Sequence, residues 1–342
     1  MYSCRILRYA GFLWTTENND PMNEDFGFDG LSLSEGRSEG VRSVQVPFCA
    51  RTLTGHTGWV SSVCAASAGV VASGSWDRTV RVWDAATGAC LRELVGHGER
   101  VWSVCTVSAG VVASASGDGT VRLWDAATGA CLHTLGGHAG GVLSVCAVSA
   151  GVLASASEDQ TVRVWDAATG ACLRVLSGHT HVVYAVCALP SPAPVLASAS
   201  YDQTVRLWNA ATGECLHVLA GHTDRVWSVC ALSAGVVASG SWDKTVRVWD
   251  AATGACLRTL AGHGSSVYSV CALSAGVLAS ASGDDTVRVW DAATGACLQV
   301  LAGHEDSVNS VCALSAGVVA SGADDKTVRL WMVQNILDGD AH

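Results

Sequence analysis

A chain of 342 residues has room for one to three domains, and a formal charge of -10 argues against a phosphate-backbone binder, which needs Lys and Arg to neutralise phosphates. Mean hydropathy is +0.32, high enough that a membrane span has to be tested. The best candidate, the charge-free run 182–201, contains Pro190, Pro192 and Pro194 with several serines, so a spanning helix is excluded.

In chain order, residues 1–42 come first. MYSCRILRYAGFLWTT has Arg5 and Arg8 and no acid before Glu17, but Arg8 interrupts what would be the apolar stretch of a secretory leader. NNDPMNEDFGFDG and SLSEGRSEG follow without heptads or space for a folded module, so the segment reads as a disordered tail.

Next comes FCARTLTGH, a fragment with no partner of its own, in which Cys49, Arg51, Leu53, Gly55 and His56 align with Cys90, Arg92, Leu94, Gly96 and His97. From there the chain repeats. Gly-His pairs end at His56, His97, His138, His179, His222, His263 and His304, spaced by 41 residues with one interval of 43. A fixed period of this size signals a propeller or array. Each unit holds four short apolar runs, in the second unit 101–107, 111–116, 120–125 and 131–135, separated by Ala-Gly, Gly-Asp-Gly and Ala-Thr-Gly turn signals. Their Val, Thr and Trp content says strand, and helix-period segments are absent. Runs so evenly apolar are expected to be covered on both faces by neighbouring copies, which explains the hydropathy without lipid.

The fourth unit carries Pro190-Ser191-Pro192-Ala193-Pro194 where the others have Ala-Gly. The last unit stops after its third strand at Trp331, and 333–342 reads as a short C-terminal tail. The fold expected is all-β: a seven-bladed propeller over 43–332, made of four-stranded antiparallel blades. It closes when residues near Val46 to Leu53 supply the outer strand of the seventh blade beside Thr327 to Trp331.

Fifteen cysteines follow the same repeat. Cys64, Cys105, Cys146, Cys187, Cys230, Cys271 and Cys312 stand in SVC-like contexts, Cys49, Cys90, Cys131, Cys172, Cys215, Cys256 and Cys297 in the CL(R/H/Q) context or its degenerate match, and Cys4 is left over. One cysteine per strand position reads as a small buried hydrophobe, so free thiols in a reducing compartment are expected. No CxxC or HExxH spacing offers a metal site, and no cofactor is implied.

These residues carry a family resemblance. Gly-His, about two dozen residues, then S-x-S-x-D-x-T-V-R-(V/L)-W-D resembles the WD40 repeat, over residues 46–331. Asn209 and Met332 replace the Asp of the Trp-Asp pair in the fourth and seventh units. The resemblance implies a seven-bladed propeller with an interaction role, similar in layout to the G-protein beta-like proteins and to the WD-repeat subunit of histone-methylating complexes.

The resemblance also implies a buried hydrogen-bond network in each copy. Its members are His56, Ser73, Asp77 and Trp83; His97, Ser114, Asp118 and Trp124; His138, Ser155, Asp159 and Trp165; His179, Ser198, Asp202 and Trp208; His222, Ser239, Asp243 and Trp249; His263, Ser280, Asp284 and Trp290; and His304, Ser321, Asp325 and Trp331. Ser, His and Asp together invite a hydrolase reading, but a nucleophile with its oxyanion hole is built once per chain, and sevenfold repetition reads as structure. The recurring strand Arg, from Arg81 to Arg329, gets the same scaffold reading.

If His and Asp touch, the letters beside both gather on one rim. One series there is Ser61, Trp102, Leu143, Tyr184, Trp227, Tyr268 and Asn309; another is Trp76, Gly117, Glu158, Tyr201, Trp242, Gly283 and Asp324. Large aromatics near acids suit a pocket for an Arg or modified Lys side chain. The expected peptide-binding rim is Trp59, Trp76, Trp102, Tyr184, Tyr201, Trp227, Trp242 and Tyr268, with Asp224 and Glu305; rings at such positions can equally pack between adjacent loops.

The function expected is a non-enzymatic scaffold, a monomeric propeller inside a larger intracellular complex in cytoplasm or nucleus. It would join other proteins through short peptides, basic rather than acidic, with no direct nucleic-acid contact and no membrane span. The alternatives are a substrate-recruiting subunit of a ubiquitin ligase, a G-protein beta-like signalling adaptor, or an enzyme using His181, the one rim imidazole outside the Gly-His series.

Overall fold

The computed structural model describes residues 49–333 apart from 191–193, 275 and 316. The tail expected at 1–42, all but the first residue of the tail expected at 333–342, the first three residues of the expected closing strand, Cys4 and Pro192 lie outside the described residues.

Short β-branched runs punctuated by turns give strands of five to eight residues throughout. They pair as seven four-stranded antiparallel sheets, each in simple sequence order from the innermost strand outward, except the last. In the second blade the strands are Val101–Ser108, Val111–Ser116, Thr120–Asp125 and Cys131–Gly136. Six blades are self-contained. The seventh takes Val308–Ser315, Val318–Ala323 and Val328–Met332 from the C-terminal end and borrows Cys49–Leu53 as its outer strand. Leu53 lies opposite Val328, and Cys49 opposite Trp331. The ring therefore closes through the antiparallel pairing that the truncated last unit predicts.

Apolar seams between blades supply the core. Ala72, Val80, Val82 and Leu94 of the first blade meet Val101, Val104, Val112 and Trp124 of the second. The closing seam repeats the recipe, with Leu53, Ala320, Val328 and Leu330 against Val60, Val63, Val71 and Trp83. Each Trp of a Trp-Asp pair is thus the large side chain that fills a seam against the preceding blade, and all seven are 1% exposed.

Polar groups lace the same seams. Ser62 Oγ accepts from Val104 N at 3.1 Å, Ser144 from Val186 N at 3.2 Å and Ser310 from Val63 N at 3.1 Å, with equivalent bonds from Ser103, Ser228 and Ser269. The fourth blade has Ala185 at this position, and the strap to the fifth is missing. On the other side of the blades, the Asp after each Trp caps the following turn: Asp84 Oδ1 accepts from Ala86 N and Thr87 N, both at 2.8 Å. Asn209 uses its own Oδ1 in the same way at 2.9 and 3.1 Å, so losing the charge there leaves the turn intact. Met332 is the last residue of its strand.

Three expectations need correction. The outer strands are not covered on both faces: Cys131–Gly136 buries only Leu135, because no blade lies beyond it. The outer-strand cysteines are consequently not buried hydrophobes. Cys90, Cys131, Cys172, Cys256 and Cys297 are exposed, and Cys49 and Cys215 are half-buried. The tail expected from residue 333 begins later, since Val333 is 2% exposed and donates to Gly317 O at 2.7 Å. All fourteen described cysteines are free thiols.

Because Leu53 alone among the residues of its strand is fully buried, the closure rests on it. Leu53→Ala is expected to cost about 2–5 kcal/mol in denaturant unfolding. The equivalent change at Leu91, on an exposed outer-strand position, should stay within about 0.5 kcal/mol.

Candidate functional site

Each blade contains one chain of polar contacts from indole to carboxylate. In the second blade Trp124 Nε1 donates to Ser114 Oγ at 2.7 Å, Ser114 Oγ lies 2.7 Å from His97 Nε2, and His97 Nδ1 lies 2.8 Å from Asp118 Oδ2. The other six sets assemble alike, with His Nδ1 to Asp Oδ2 between 2.6 and 2.9 Å. Bonding logic fixes the direction. An indole N-H can only donate and a carboxylate can only accept, so His Nδ1 carries a proton toward Asp. Burial pushes the imidazoles of His97 and His138 below their ordinary value against the pull of their carboxylates, so they are neutral and Nε2 accepts the serine proton.

The carboxylate end is anchored several times over. Burial raises the Asp118 carboxyl, but Thr120, His97 and the Gly98 N-H outweigh it and hold it at about 2. Asp118 Oδ1 also accepts from Thr120 N and Oγ1, at 3.0 and 2.6 Å, which closes the turn it sits in. The seven serines are 0% exposed. A nucleophile with its oxygen engaged by an indole and an imidazole in a dry seam is out of reach of substrate, so this Ser-His-Asp arrangement is a tether. It ties the Gly-His loop to the turn between the second and third strands.

That tether brings the variable letters together at one end of the ring, and a bulge aims them. In every innermost strand the register slips by one residue beside the first Val, as between Val101 and Ser103. The residue squeezed out is Ser61, Trp102, Leu143, Tyr184, Trp227, Tyr268 or Asn309, and a bulge re-aims such a side chain. All seven line one funnel of about 380 Å³, together with Trp59, Trp76, Glu158, Val182, Trp242 and Asp324.

Two aromatic groups face each other across this mouth. Trp59 packs on Trp76 with ring centroids 4.2 Å apart, and Trp76 meets Trp102 edge-on at 5.3 Å. On the other side Tyr184 stacks on Trp227 at 4.0 Å, with Trp242 and Tyr268 at 5.6 and 5.8 Å from the same ring. Carboxylates separate the groups: Glu158 accepts from Gly141 N at 3.1 Å, and Asp324 accepts from Asn309 Nδ2. Burial raises the Asp324 carboxyl, and neighbouring Asp306 and Asp325 add to the effect against the Asn309 bond.

Not every expected rim residue reaches the funnel. Tyr201 is covered by His181 at 4.1 Å and by the Arg225 guanidinium at 4.2 Å. Arg225 lies between Tyr201 and Trp242, 4.0 Å from the latter, and donates from Nη2 to the Tyr201 hydroxyl at 3.0 Å. Arg100 lies 3.9 Å over Trp76. Asp224 contacts Arg225, and Glu305 donates its N-H to Asp325, outside the funnel lining. His181 Nδ1 accepts its own neighbour's N-H from Val182 at 3.0 Å. Arg100, Arg225 and Val182 fall in the variable rim loops of the sequence, but the stacking of the two arginines on the rings is not legible there.

The family model described as WD domain, G-beta repeat matches seven segments, residues 47–84, 88–125, 129–166, 170–209, 213–250, 254–291 and 295–332. The chain belongs to the WD40 family. Each WD40 match begins two residues before an outer strand and ends with the Trp-Asp pair of the next blade, or its Trp-Asn and Trp-Met counterparts in the fourth and seventh, so the borrowed strand Cys49–Leu53 belongs to the first repeat. The WD40 propeller is a typical protein-interaction scaffold fold, and among the described residues no helix is long and apolar enough to cross a membrane.

Asp118→Ala strands the buried His97 Nδ1 proton, and is expected to lower stability by about 1–3 kcal/mol in thermal or urea unfolding. Acid acts in the same direction. Asp118 and Asp159, held at about 2, contribute stability above the ordinary aspartate value of 3.8 that is lost as pH falls toward 2. His97 and His138, held below 6.5, add a penalty once the unfolded chain binds protons there. Unfolding midpoints should therefore fall steadily on acidification below about pH 6.5.

Proposed function

We propose that this WD40 propeller is a non-enzymatic scaffold whose funnel grips a short basic peptide of a partner protein. The observation that carries the reading is the chemistry of the mouth. Aromatic rings line it on two sides, Glu158 and Asp324 stand between them, and no Lys or Arg side chain is among the lining residues. Aromatic faces and carboxylates together favour a cation, worth about 0.5–2 kcal/mol per ring contact as the site dries.

Two features of the chain itself support that chemistry. Arg225, held between Tyr201 and Trp242, demonstrates that rings on this rim accept a guanidinium at van der Waals distance. Trp242 Nε1 is buried at the funnel without a hydrogen-bond partner. An orphaned buried indole N-H costs free energy, so the ring is held at this place by its packing and not by a bond of its own. Trp59, 40% exposed, offers a ring to solvent on the opposite side. With one face of Trp242 taken by Arg225, this residue serves by its edge, and Trp59, Trp102, Trp227 and Tyr268 offer the remaining aromatic surface.

The partner complex would hold one propeller by this face, leaving the circumference and the opposite face free. Peptide binding is measured best with fluorescent peptides that differ only in charge. Arg- or Lys-containing peptides should bind and their Glu counterparts should not. The double substitution Trp102→Ala with Trp227→Ala should weaken binding by at least about thirtyfold, the loss of one hot spot, while the protein still melts cooperatively. Trp242→Phe keeps an aromatic ring and removes an unpaired buried N-H, and is expected to leave binding within about threefold without loss of stability. Equal affinity of the double variant and the parent would move the binding site away from the funnel.

A further inference from the structure

The circumference of the ring carries a second kind of chemistry. On the first six blades the strand Arg reaches the first residue of the outer strand; in the fourth the pair is Arg206 Nη1 with the half-buried Cys215 at 3.8 Å. Arg122 Nη1 lies 3.8 Å from Cys131 Sγ, Arg163 3.9 Å from Cys172, Arg247 3.7 Å from Cys256 and Arg288 3.8 Å from Cys297. These four cysteines are exposed. The first blade has the same pair, Arg81 with Cys90 at 3.8 Å, but with a difference. Arg81 Nη2 also makes an ion pair at 2.9 Å with Glu93, directly across the strand. At that cross-strand place the four other blades have Thr134, Val175, Thr259 and Val300, and their arginines make no ion pair among the described residues.

The four guanidiniums therefore stand uncompensated beside exposed sulfurs in a chain of net charge -10. A fixed cation with spare donors draws an anion to the groove between two blades, and the group it meets there is a nucleophile. We propose that the outer strands form a belt of thiol-modification sites, at which Cys131, Cys172, Cys256 and Cys297 exchange with small anionic disulfides to form mixed disulfides.

The step balances without further reagents. The cysteine sulfur, having given its proton to solvent, attacks one sulfur of the disulfide; a new S-S bond forms as the old one breaks, and the leaving thiolate takes up a proton. In the resting protein the thiol hydrogen points to the carbonyl two residues on, as from Cys131 to His133 O at 3.5 Å. The innermost-strand cysteines have no comparable surroundings. Cys64 packs against Thr106 in a seam, and burial pushes its thiol up to about 12.

Glu93 makes the first blade a built-in control. The full-length protein is treated with dithiobis(nitrobenzoate), a dianionic disulfide, and with the neutral dipyridyl disulfide, and each cysteine is followed by quenched alkylation and peptide mass spectrometry. With the dianionic reagent Cys131, Cys172, Cys256 and Cys297 are expected to react roughly fivefold faster than Cys90, the ratio carried by one unit charge at about 4 Å in water. Raising the salt, or using the neutral reagent, should shrink that ratio toward one. Glu93→Thr should lift Cys90 to the rate of its counterparts, and Thr134→Glu should bring Cys131 down to that of Cys90. Protection of Cys64 in both variants verifies that the seams stay closed. Equal rates for Cys90 and the other four under the dianionic reagent, or no response to Glu93→Thr, would overturn the proposal.

Discussion

The order in which one proton chain runs, from indole through hydroxyl and imidazole to carboxylate, governs the architecture of every blade. Its four members come from three places in the repeat: the loop before the innermost strand, the second strand with its following turn, and the third strand. Joining them fixes where the loop stands relative to the turn, and both then lie at the same end of the blade. A buried chain of this kind is stable only when every donor finds an acceptor, and here the Trp N-H, Ser hydroxyl, His Nδ1-H and Asp carboxylate leave none over. The variable face is a by-product of that satisfaction, since the residues free to vary are those adjacent to the tethered ones.

Two features then turn a decorated end into a site. The bulge in each innermost strand directs one residue per blade toward the axis, and sevenfold repetition makes these a closed set. Variation within the set is uneven. Leu143 and Asn309 separate Trp102 from the cluster Tyr184, Trp227 and Tyr268, so the mouth has two aromatic banks and two acidic gaps. The clamps made by Arg100 and Arg225 stiffen the outer sides of those banks, at the cost of Tyr201 as free binding surface.

Much of this was legible in the sequence because repetition supplies its own comparison. The Gly-His spacing gives the blade count, and the missing fourth strand after Trp331 matched by FCARTLTGH gives the closure. Those signals are long, redundant and governed by main-chain pairing. What escaped is local and depends on side-chain aim. A bulge is one extra residue in a run of apolar letters, and nothing in VWSVCTV tells which residue is extruded. Arg225 and Tyr201 are 24 positions apart, and their contact follows from two loops of adjacent blades that no pattern within one repeat encodes. The outer-strand cysteines read as buried because each recurs once per copy at a strand position, whereas exposure there is decided by the absence of any blade further out.

The serine straps between innermost strands make a nearly complete girdle, and the gap at Ala185 sets one joint apart from its six companions. At that joint the tie sits on the rim instead, where Arg225 of the fifth blade donates to the Tyr201 hydroxyl of the fourth at 3.0 Å. The stacked pair Tyr184 and Trp227 spans that same joint from above, 4.0 Å apart. The fourth and fifth blades are thus tied by side chains of the mouth where their neighbours are tied by a strap between innermost strands.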